Sequence, residues 1–452
     1  MNSLNSITAI IQRPLFQGPV ARGAVSAFVL RIFNLVLGFL TIILLGRYLG
    51  ADGYGVYALA VSTAALIAMV GSCGFDHFLV AALPRITQDK QFDVFKRMMR
   101  VAITATLLGC ALTLCLGFGL RPFAGPVYTT ILPFIVILTP IMALATLAQG
   151  ALRGLMRAMT AYIPEFLIVQ VVMLTGVIAL IATDAISTTG VLVLVLFAWS
   201  AACATAWIWV QQASPKVLNT EKKTDSKKWL KSALWLNAAK LSMFSFGKVE
   251  LLILAAMLDE VAVGLFAIAM RLGQLVLFPA FAVSAGLAPS IARRLQAEEE
   301  VHSLIRKSLM ASSTLGFLFV PAVGAGAFVM FYFTGAEFTA AWPVVAILAV
   351  GFAGSTLMGR GYDLLLAAGK ERLLAFASLT VFVVNIISCI AFTAAFGLVG
   401  TAVSSAAAFI TQQALFAVIA WRTLHVRVDA MSLLASGKTN APLNNPQDKT
   451  AG

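Results

Sequence analysis

Apolar stretches of about 20 residues, separated by short polar segments, fill the chain between residues 24 and 421. An α-helix needs about 20 apolar residues to cross the hydrocarbon layer of a membrane. The pattern therefore predicts an all-α, polytopic membrane protein with about twelve transmembrane helices. The predicted spans are 24–46, 54–76, 101–120, 127–150, 163–183, 189–211, 231–257, 262–286, 309–333, 341–366, 373–396 and 398–421.

The composition supports this class of protein and excludes others. Of the 452 residues, 60% are hydrophobic and 11% are charged, whereas soluble proteins carry about 25% charged residues. The net charge is +13, but the shortage of charges overall excludes a soluble nucleic-acid-binding protein. The five cysteines lie in apolar stretches and the three histidines are scattered. We therefore expect neither a metal site nor a cofactor.

The lysines and arginines set the predicted orientation, because these residues accumulate in cytoplasmic loops. With the N-terminus placed in the cytoplasm, 25 of the 32 basic residues fall inside. Arg47 and Arg121 are the two that fall outside, where the loops carry acidic residues such as Asp52 and Asp259. An odd number of spans would destroy this asymmetry. We therefore expect a multi-pass protein of the cytoplasmic (inner) membrane with both termini in the cytoplasm.

The longest polar interruption divides the spans into two groups of six. We predict an N-terminal six-helix bundle over 1–214, a cytoplasmic linker over 215–230, a C-terminal six-helix bundle over 231–421 and a disordered cytoplasmic tail over 422–452. A short internal repeat supports the division. Gly55–Ala60 (GVYALA) and Gly264–Ala269 (GLFAIA) are similar, each follows an acidic loop, and they lie 209 residues apart. Two six-span bundles share one orientation, as in transporters whose parallel repeats surround a central cleft.

Five basic residues fall within predicted spans, where a charge costs on the order of 2.5–3.5 kcal/mol on insertion scales. Arg31 lies near the middle of the first span and Arg271 about ten residues into the eighth. Lys240 and Lys248 are about two turns apart, so a continuous helix would place them on one face of the seventh span. Cations in apolar spans usually face a wet cavity. We therefore predict that these four residues form a cationic substrate-binding site in the central cleft.

The other in-span charges have two interpretations. Arg360, the fifth basic residue, and Asp363 are three residues apart, which suits a local ion pair. Glu250 can pair with Lys248 or couple transport to an ion gradient, and Asp76 lies near the cytoplasmic end of the second span. Glu250, Arg360, Asp363 and Asp76 are therefore candidates for coupling or for ion pairs, and the energy source stays open between a proton gradient, a sodium gradient, the membrane potential and none.

Three stretches, in the correct order, carry the features of a known family: Gly46–Ala58 between the first two spans, Val263–Leu272 with Ala288-Pro289 after it, and Ala367–Lys370 continuing through Asn385 to Gly397–Ala402. With the span count, they resemble the polysaccharide/oligosaccharide-lipid flippases of the multidrug/oligosaccharidyl-lipid/polysaccharide exporter superfamily. The resemblance implies two helix bundles around a cleft. It also implies export of a polyprenyl-diphosphate-linked oligosaccharide to the outer leaflet, for O-antigen, capsule or exopolysaccharide synthesis.

The same resemblance bears on the charged residues. Cationic cavity residues are typical of the family, and Arg31 and Arg271 fall where they are expected. Family members often carry an acidic residue about where Glu250 lies, whereas a basic residue at Lys248 departs from the pattern. The implied partners are the lipid-linked oligosaccharide and the lipid bilayer, with a polysaccharide polymerase and a chain-length regulator as candidate protein partners.

Competing functions remain open at this point. A drug/cation antiporter of the same superfamily would need carboxylates in the cleft and few fixed cations. A flippase of the peptidoglycan precursor usually has more spans than the twelve counted here. A membrane glycosyltransferase or polymerase would be an enzyme with a large polar outside loop or an acidic metal motif, whereas the outside loops here are short. We therefore expect a transporter and not an enzyme.

Overall fold

The computed structural model describes residues 19–88, 92–119, 126–214, 226–244, 246–281, 283, 302–424, 426 and 428. These described residues form helices and turns, with no β-strand among them, so the all-α prediction is confirmed. The α-helices are α1 (Pro19–Gly71), α2 (Phe75–Gln88), α3 (Phe92–Gly119), α4 (Pro126–Gly154), α5 (Ala158–Ile163), α6 (Val169–Ala182), α7 (Thr188–Ala213), α8 (Ser226–Phe244), α9 (Val249–Met257), α10 (Glu260–Gln274), α11 (His302–Thr334), α12 (Trp342–Leu357), α13 (Gly361–Ala367) and α14 (Glu371–Leu424).

Shorter helical turns extend several of these helices. They are a π-helix over Pro164–Ile168 and 3-10 helices over Leu275–Leu277 and Ala336–Ala341. In the described part of the chain, nine stretches are long and apolar enough to cross a membrane, which confirms a multi-pass membrane protein. They are Val29–Gly71, Val94–Cys115, Val127–Gly154, Met159–Ala182, Thr188–Ala213, Glu260–Phe281, Ser303–Thr334, Ala336–Leu357 and Arg372–Leu424.

Two of the helices are too long for one crossing. Helix α1 has 53 residues and α14 has 54, about 80 Å at 1.5 Å per residue, against a hydrocarbon thickness of about 30 Å. Each contains a glycine with non-helical backbone angles, Gly50 (φ 74°, ψ 179°) in α1 and Gly397 (φ 58°, ψ −139°) in α14. Both glycines fall between two predicted spans, so each long helix supplies two membrane-length segments.

Three predicted spans are not continuous helices, and the prediction is wrong in this respect. The predicted span 54–76 is interrupted near its end, between α1 and α2, where Gly74 has φ +78°. The predicted span 231–257 is interrupted between α8 and α9, where Gly247 has φ +82°. The predicted span 341–366 is interrupted between α12 and α13, where Gly359 has φ +100°. Glycine reaches these angles at little steric cost because it has no Cβ. The total of twelve spans stays a prediction.

The chain divides into two compact units, Met1–Asn237 and Ala238–Gly452, and the division falls inside α8. In the predicted linker, residues 215–225 lie outside the described residues, as does most of the predicted tail. The predicted domain limits therefore stay a prediction.

Helix α4 is the centre of the N-terminal unit, where it packs against α1, α2, α3 and α7. Its buried residues Ile131, Ile135, Leu138 and Met142 recur every three or four positions, as one face of a helix requires. At the other end of α4, side chains of α2, α3, α7 and α8 join one buried apolar cluster. The cluster fixes the start of α8 on this unit.

In the C-terminal unit, α12 packs against α10, α11 and α14. Helix α10 is buried on almost all sides, since its residues from Ala262 to Met270 are all buried. It begins at an N-cap, because the Asp259 side chain accepts a hydrogen bond from the Ala262 amide at 2.8 Å. An apolar helix buried all round is typical of the inside of a membrane protein bundle.

Candidate transport site

Arg271 is the exception in the most buried helix of the C-terminal unit. Every residue from Ala262 to Gly273 is buried except Arg271, which is exposed. The side chain therefore leaves the helix on a narrow strip that neighbouring helices do not cover. A guanidinium stays charged under all ordinary conditions and is costly in hydrocarbon. The position requires water, lipid headgroups or an anion beside the charge.

Arg31 has a comparable setting in the N-terminal unit. It lies in α1 and is exposed, while the preceding Leu30 is buried and the following Ile32 and Phe33 are exposed apolar residues. One turn further, the Asn34 amide donates a hydrogen bond to the Phe166 carbonyl at 3.4 Å. Arg31 is thus an exposed charge between a buried leucine and an exposed isoleucine.

Lys240 and Lys248 are both half-buried, but they do not share one helix. Lys240 lies in α8, whereas Lys248 is the N-cap residue of α9, after the break at Gly247. The expectation that two helical turns place both lysines on one face is therefore wrong. The joint site of Arg31, Lys240, Lys248 and Arg271 stays a prediction.

Glu250 is fully buried in the first turn of α9. Its Oε2 accepts a hydrogen bond from the Gly247 amide at 2.7 Å. Its Oε1 accepts hydrogen bonds from Asn385 Nδ2 at 2.9 Å and from Ser405 Oγ at 3.3 Å. Asn385 lies before the break at Gly397 in α14 and Ser405 lies after it. One carboxylate therefore joins the break before α9 to both halves of α14.

More polar side chains continue this contact between the halves of α14. Ser404 Oγ lies 2.8 Å from Ser388 Oγ and donates to Asn385 Oδ1 at 3.4 Å. Further along, Thr393 Oγ1 and Thr401 Oγ1 are 2.7 Å apart. Buried polar groups of this kind strengthen one another where water is excluded. Sequence reasoning missed Ser405 and gave Asn385 no role; the signal available was a set of Asn, Ser and Thr residues in two adjacent apolar spans.

Arg360 and Asp363 lie together at the interruption before α13, and both are buried. Arg360 Nη1 is 3.8 Å from Asp363 Oδ2, and the same nitrogen donates a hydrogen bond to the Ala280 carbonyl at 3.1 Å. The guanidinium therefore ties the turn between α12 and α13 to the end of the α10 region. These contacts hold two helical segments together.

Asp76 lies in the first turn of α2 and is buried. Its Oδ1 accepts a hydrogen bond from Ser72 Oγ at 3.3 Å, and its Oδ2 is 3.8 Å from His77 Nε2. Both of these partners lie within four residues. These two contacts lie at the turn that joins α1 to α2.

A further polar pair in the N-terminal unit was not predicted. Gln149 Nε2 in α4 donates a hydrogen bond to Glu165 Oε2 at 2.7 Å. Glu165 belongs to the π-helix Pro164–Ile168, a conformation often found at functional sites. Among the described residues, no group of three or more His, Cys, Asp or Glu side chains could hold a metal ion.

Comparison with known proteins shows which family the chain belongs to. A family described as "Polysaccharide biosynthesis protein" matches residues 20–283, more than half of the chain. The chain belongs to this family. The match extends from α1 through α10, so it includes Arg31, Glu250 and Arg271. No curated protein matches the sequence.

Several solved structures are similar to this chain in fold. An inward-facing multidrug resistance MATE family transporter of the MOP superfamily is 13% identical, with a TM-score of 0.65 over 92% of this chain and 100% of that one. The lipid II flippase MurJ in an inward closed conformation is 12% identical, with a TM-score of 0.65 over 87% of each chain. The MATE transporter ClbM in complex with Rb⁺ is 15% identical, with a TM-score of 0.58 over 94% of this chain and 98% of that one. The family is thus one of polysaccharide biosynthesis, and the fold is similar to those of MATE transporters and of a lipid II flippase.

Proposed function

We propose that this protein flips a polyprenyl-diphosphate-linked oligosaccharide across the cytoplasmic membrane by alternating access, for the synthesis of O-antigen, capsule or exopolysaccharide. The family supports polysaccharide biosynthesis as the process. The fold, which is similar to multidrug transporters and to a lipid II flippase, supports transport as the activity.

The observation that carries the proposal is the exposed guanidinium of Arg271 in an otherwise buried helix. A charge in this position needs polar surroundings in the membrane. An anionic diphosphate is a suitable ligand, because guanidinium binds phosphate oxygens through paired hydrogen bonds. Arg31, exposed in an apolar segment of α1, offers the same chemistry from the N-terminal unit.

The proposed mechanism follows from the cost of moving a diphosphate and its sugars through hydrocarbon. Arg31, Lys240, Lys248 and Arg271 replace the hydration of the anion inside a central cleft, while the polyprenyl chain stays in the bilayer. Rocking of one bundle against the other then exposes the cleft to each side in turn. Binding has to remain weak enough for release on the outer side.

Glu250 is the candidate coupling group within this proposal. Its carboxylate holds the break before α9 against both halves of α14, so a change in its bonding would change how three helical segments meet. Arg360 and Asp363 form a pair at a turn, and Asp76 bonds within its own turn. These three residues are therefore proposed as structural ties.

The predicted placement completes the proposal. Both termini and the central linker lie in the cytoplasm, and the lipid-linked oligosaccharide enters from the cytoplasmic leaflet. A polysaccharide polymerase that consumes the exported unit and a chain-length regulator are the expected partners on the outer side.

The test measures lipid-linked oligosaccharide on each side of the membrane. In a strain that lacks the chain, lipid-linked oligosaccharide should accumulate in the inner leaflet and surface glycan should disappear. The Arg31→Gln and Arg271→Gln variants should restore less than a tenth of wild-type export, because each removes a diphosphate contact of about 1.5–3 kcal/mol. Arg271→Lys should retain more export than Arg271→Gln, since it keeps the charge.

Arg47→Gln is the matched control, because Arg47 lies in α1 with Arg31 and is also exposed. This variant should export normally. Intact export in the Arg31→Gln, Arg271→Gln double variant would refute the proposed site. Accumulation of a cationic drug or of the peptidoglycan precursor in the deletion strain, with unchanged surface glycan, would favour an antiporter or a peptidoglycan-precursor flippase instead.

A further inference from the structure

The first half of α8 has two faces of different character. Its inner face carries Trp229, Ala233 and Asn237, and the first two belong to the apolar cluster of the N-terminal unit. Asn237 Nδ2 donates a hydrogen bond to the Val70 carbonyl at 3.1 Å, within the same unit. Positions that follow one another by four residues lie on one side of a helix. The inner face of α8 is therefore fixed, and its opposite face points away from the cluster.

The opposite face lines a cavity of about 440 Å³. The described residues that line the cavity are Lys227, Leu230, Lys231, Leu234 and Trp235. All five belong to the N-terminal unit. Leu230, Leu234 and Trp235 expose 39%, 48% and 48% of their surface, a large apolar area for adjacent turns of a helix that also carries lysines.

The residues of this face change in character along α8. Both lysines come in the first part, at 227 and 231 with Leu230 between them, and Leu234 and Trp235 follow toward the interior of the predicted membrane. The distance from position 227 to position 235 is about 12 Å along a helix, comparable to the depth of a headgroup region and the first part of an acyl chain. Tryptophan is enriched at this depth of a membrane.

We propose that this face of α8 binds an anionic glycerophospholipid of the cytoplasmic leaflet. The phosphate contacts the ammonium groups of Lys227 and Lys231, and the first part of an acyl chain lies on Leu230, Leu234 and Trp235. Basic residues at the cytoplasmic end of a membrane helix favour anionic lipids for this electrostatic reason. The site is separate from the four predicted cleft cations and does not depend on the identity of the transported lipid.

The lining favours a phospholipid over the sugar-bearing substrate. Sugar hydroxyls need acceptors and donors such as Asn, Gln, Asp and Glu side chains, and none of these is present among the described residues that line the cavity. Two ammonium groups beside leucines suit one phosphodiester with attached chains. The apolar part also distinguishes the site from one for a free phosphate, which would gain nothing from Leu230 and Leu234.

The test uses the purified full-length chain in phosphatidylcholine vesicles that contain a trace of spin-labelled phosphatidylglycerol. Electron paramagnetic resonance gives the fraction of motionally restricted probe, and spin-labelled phosphatidylcholine gives the neutral reference. The wild type should prefer phosphatidylglycerol. The Lys227→Gln, Lys231→Gln double variant should lose this preference by roughly five-fold per lysine at low salt, and high salt should reduce the preference of the wild type.

The matched control removes two exposed cations elsewhere, in the Lys307→Gln, Arg372→Gln double variant. It should keep the wild-type preference. An equal loss in the control would overturn the proposal, because it would show a general effect of net charge. Lys227→Arg with Lys231→Arg should retain binding and excludes misfolding as the cause. Inorganic phosphate should not displace the probe, because it gains nothing from Leu230 and Leu234; displacement of the probe from wild type by phosphate at the concentration of the lipid would overturn the proposal in favour of a free-phosphate site.

Discussion

The two units each contain a helix break with a glycine followed closely by a buried acid, and the two breaks are held in different ways. In the N-terminal unit, Gly74 (φ +78°) separates α1 from α2 and Asp76 follows. In the C-terminal unit, Gly247 (φ +82°) separates α8 from α9 and Glu250 follows. The sequence patterns are alike, but the surroundings of each glycine and of each carboxylate differ.

Backbone atoms surround the first break. A Cβ on Gly74 would overlap the carbonyl oxygen of Ala233, and it would lie within 2.9 Å of both the amide nitrogen and the Cβ of Asn237. Asp76 contacts two close neighbours in sequence, Ser72 and His77. This break is thus held by a close contact between two helix backbones.

Side chains surround the second break. The nearest atom to a Cβ on Gly247 would be Cγ of Met270, at 3.2 Å. The partners of Glu250 include Asn385 and Ser405, which lie 135 and 155 residues away in the sequence. Side-chain contacts and hydrogen bonds can rearrange more easily than two backbones in contact. The second break is therefore the better candidate for a hinge.

The largest effect is expected at the first break. Gly74→Ala should lower the free energy of unfolding by about 4 kcal/mol, because it combines a left-handed backbone with an overlap against the Ala233 carbonyl. Unfolding by sodium dodecyl sulfate from mixed micelles measures the change. The control is Gly369→Ala, which has φ +69° and nothing within 4 Å of the new Cβ, and which should cost about 1 kcal/mol. Equal losses in the two variants would contradict the backbone contact.

The next effect concerns the carboxylate of the second break. Glu250→Ala should lower the free energy of unfolding by about 3 kcal/mol, because it leaves the Gly247 amide, Asn385 Nδ2 and Ser405 Oγ without their buried acceptor. It should also abolish export. Glu250→Gln keeps one acceptor oxygen and should cost less stability, so export by this variant separates a need for the charge from a need for the fold.

Glu260→Gln is the control for Glu250, since Glu260 begins α10 and is half-exposed. It should leave both stability and export unchanged. Wild-type export by Glu250→Gln would contradict a coupling role for the carboxylate while leaving its structural role intact. Wild-type stability of Glu250→Ala would contradict the hydrogen-bond network itself.

Hydropathy accounts for most of the fold. The membrane-length segments follow from uninterrupted apolar sequence, and the breaks at Gly50 and Gly397 fall where the predicted spans already end. The break at Gly247 could not be predicted in this way, because apolar and charged residues occur on both sides of it without a polar loop. Whether a glycine adopts a left-handed backbone conformation depends on the tertiary packing around it, and the composition of the segment does not show that packing.

The candidate site was predictable only in part. Arg31 and Arg271 stand out because a charge in an apolar stretch is rare and costly. The network of Glu250 could not be predicted, because its partners Asn385 and Ser405 are ordinary polar residues of distant spans until the fold brings them together. Pairing over this distance needs the tertiary structure.

The smallest effect is expected at Gly247, and it tests directly whether the breaks at Gly74 and Gly247 differ. The three atoms nearest to a Cβ at Gly247 belong to the side chain of Met270, which can move at little cost. The Gly247→Ala variant should therefore lose about 1–2 kcal/mol of its free energy of unfolding, because of its left-handed backbone. The same detergent titration measures it beside Gly74→Ala. Because the substitution stiffens the break, the fractional loss of export should be larger than the fractional loss in the free energy of unfolding. A loss of stability as large as that of Gly74→Ala would show that the second break is also fixed by close contact, and the distinction between the two units would then fail.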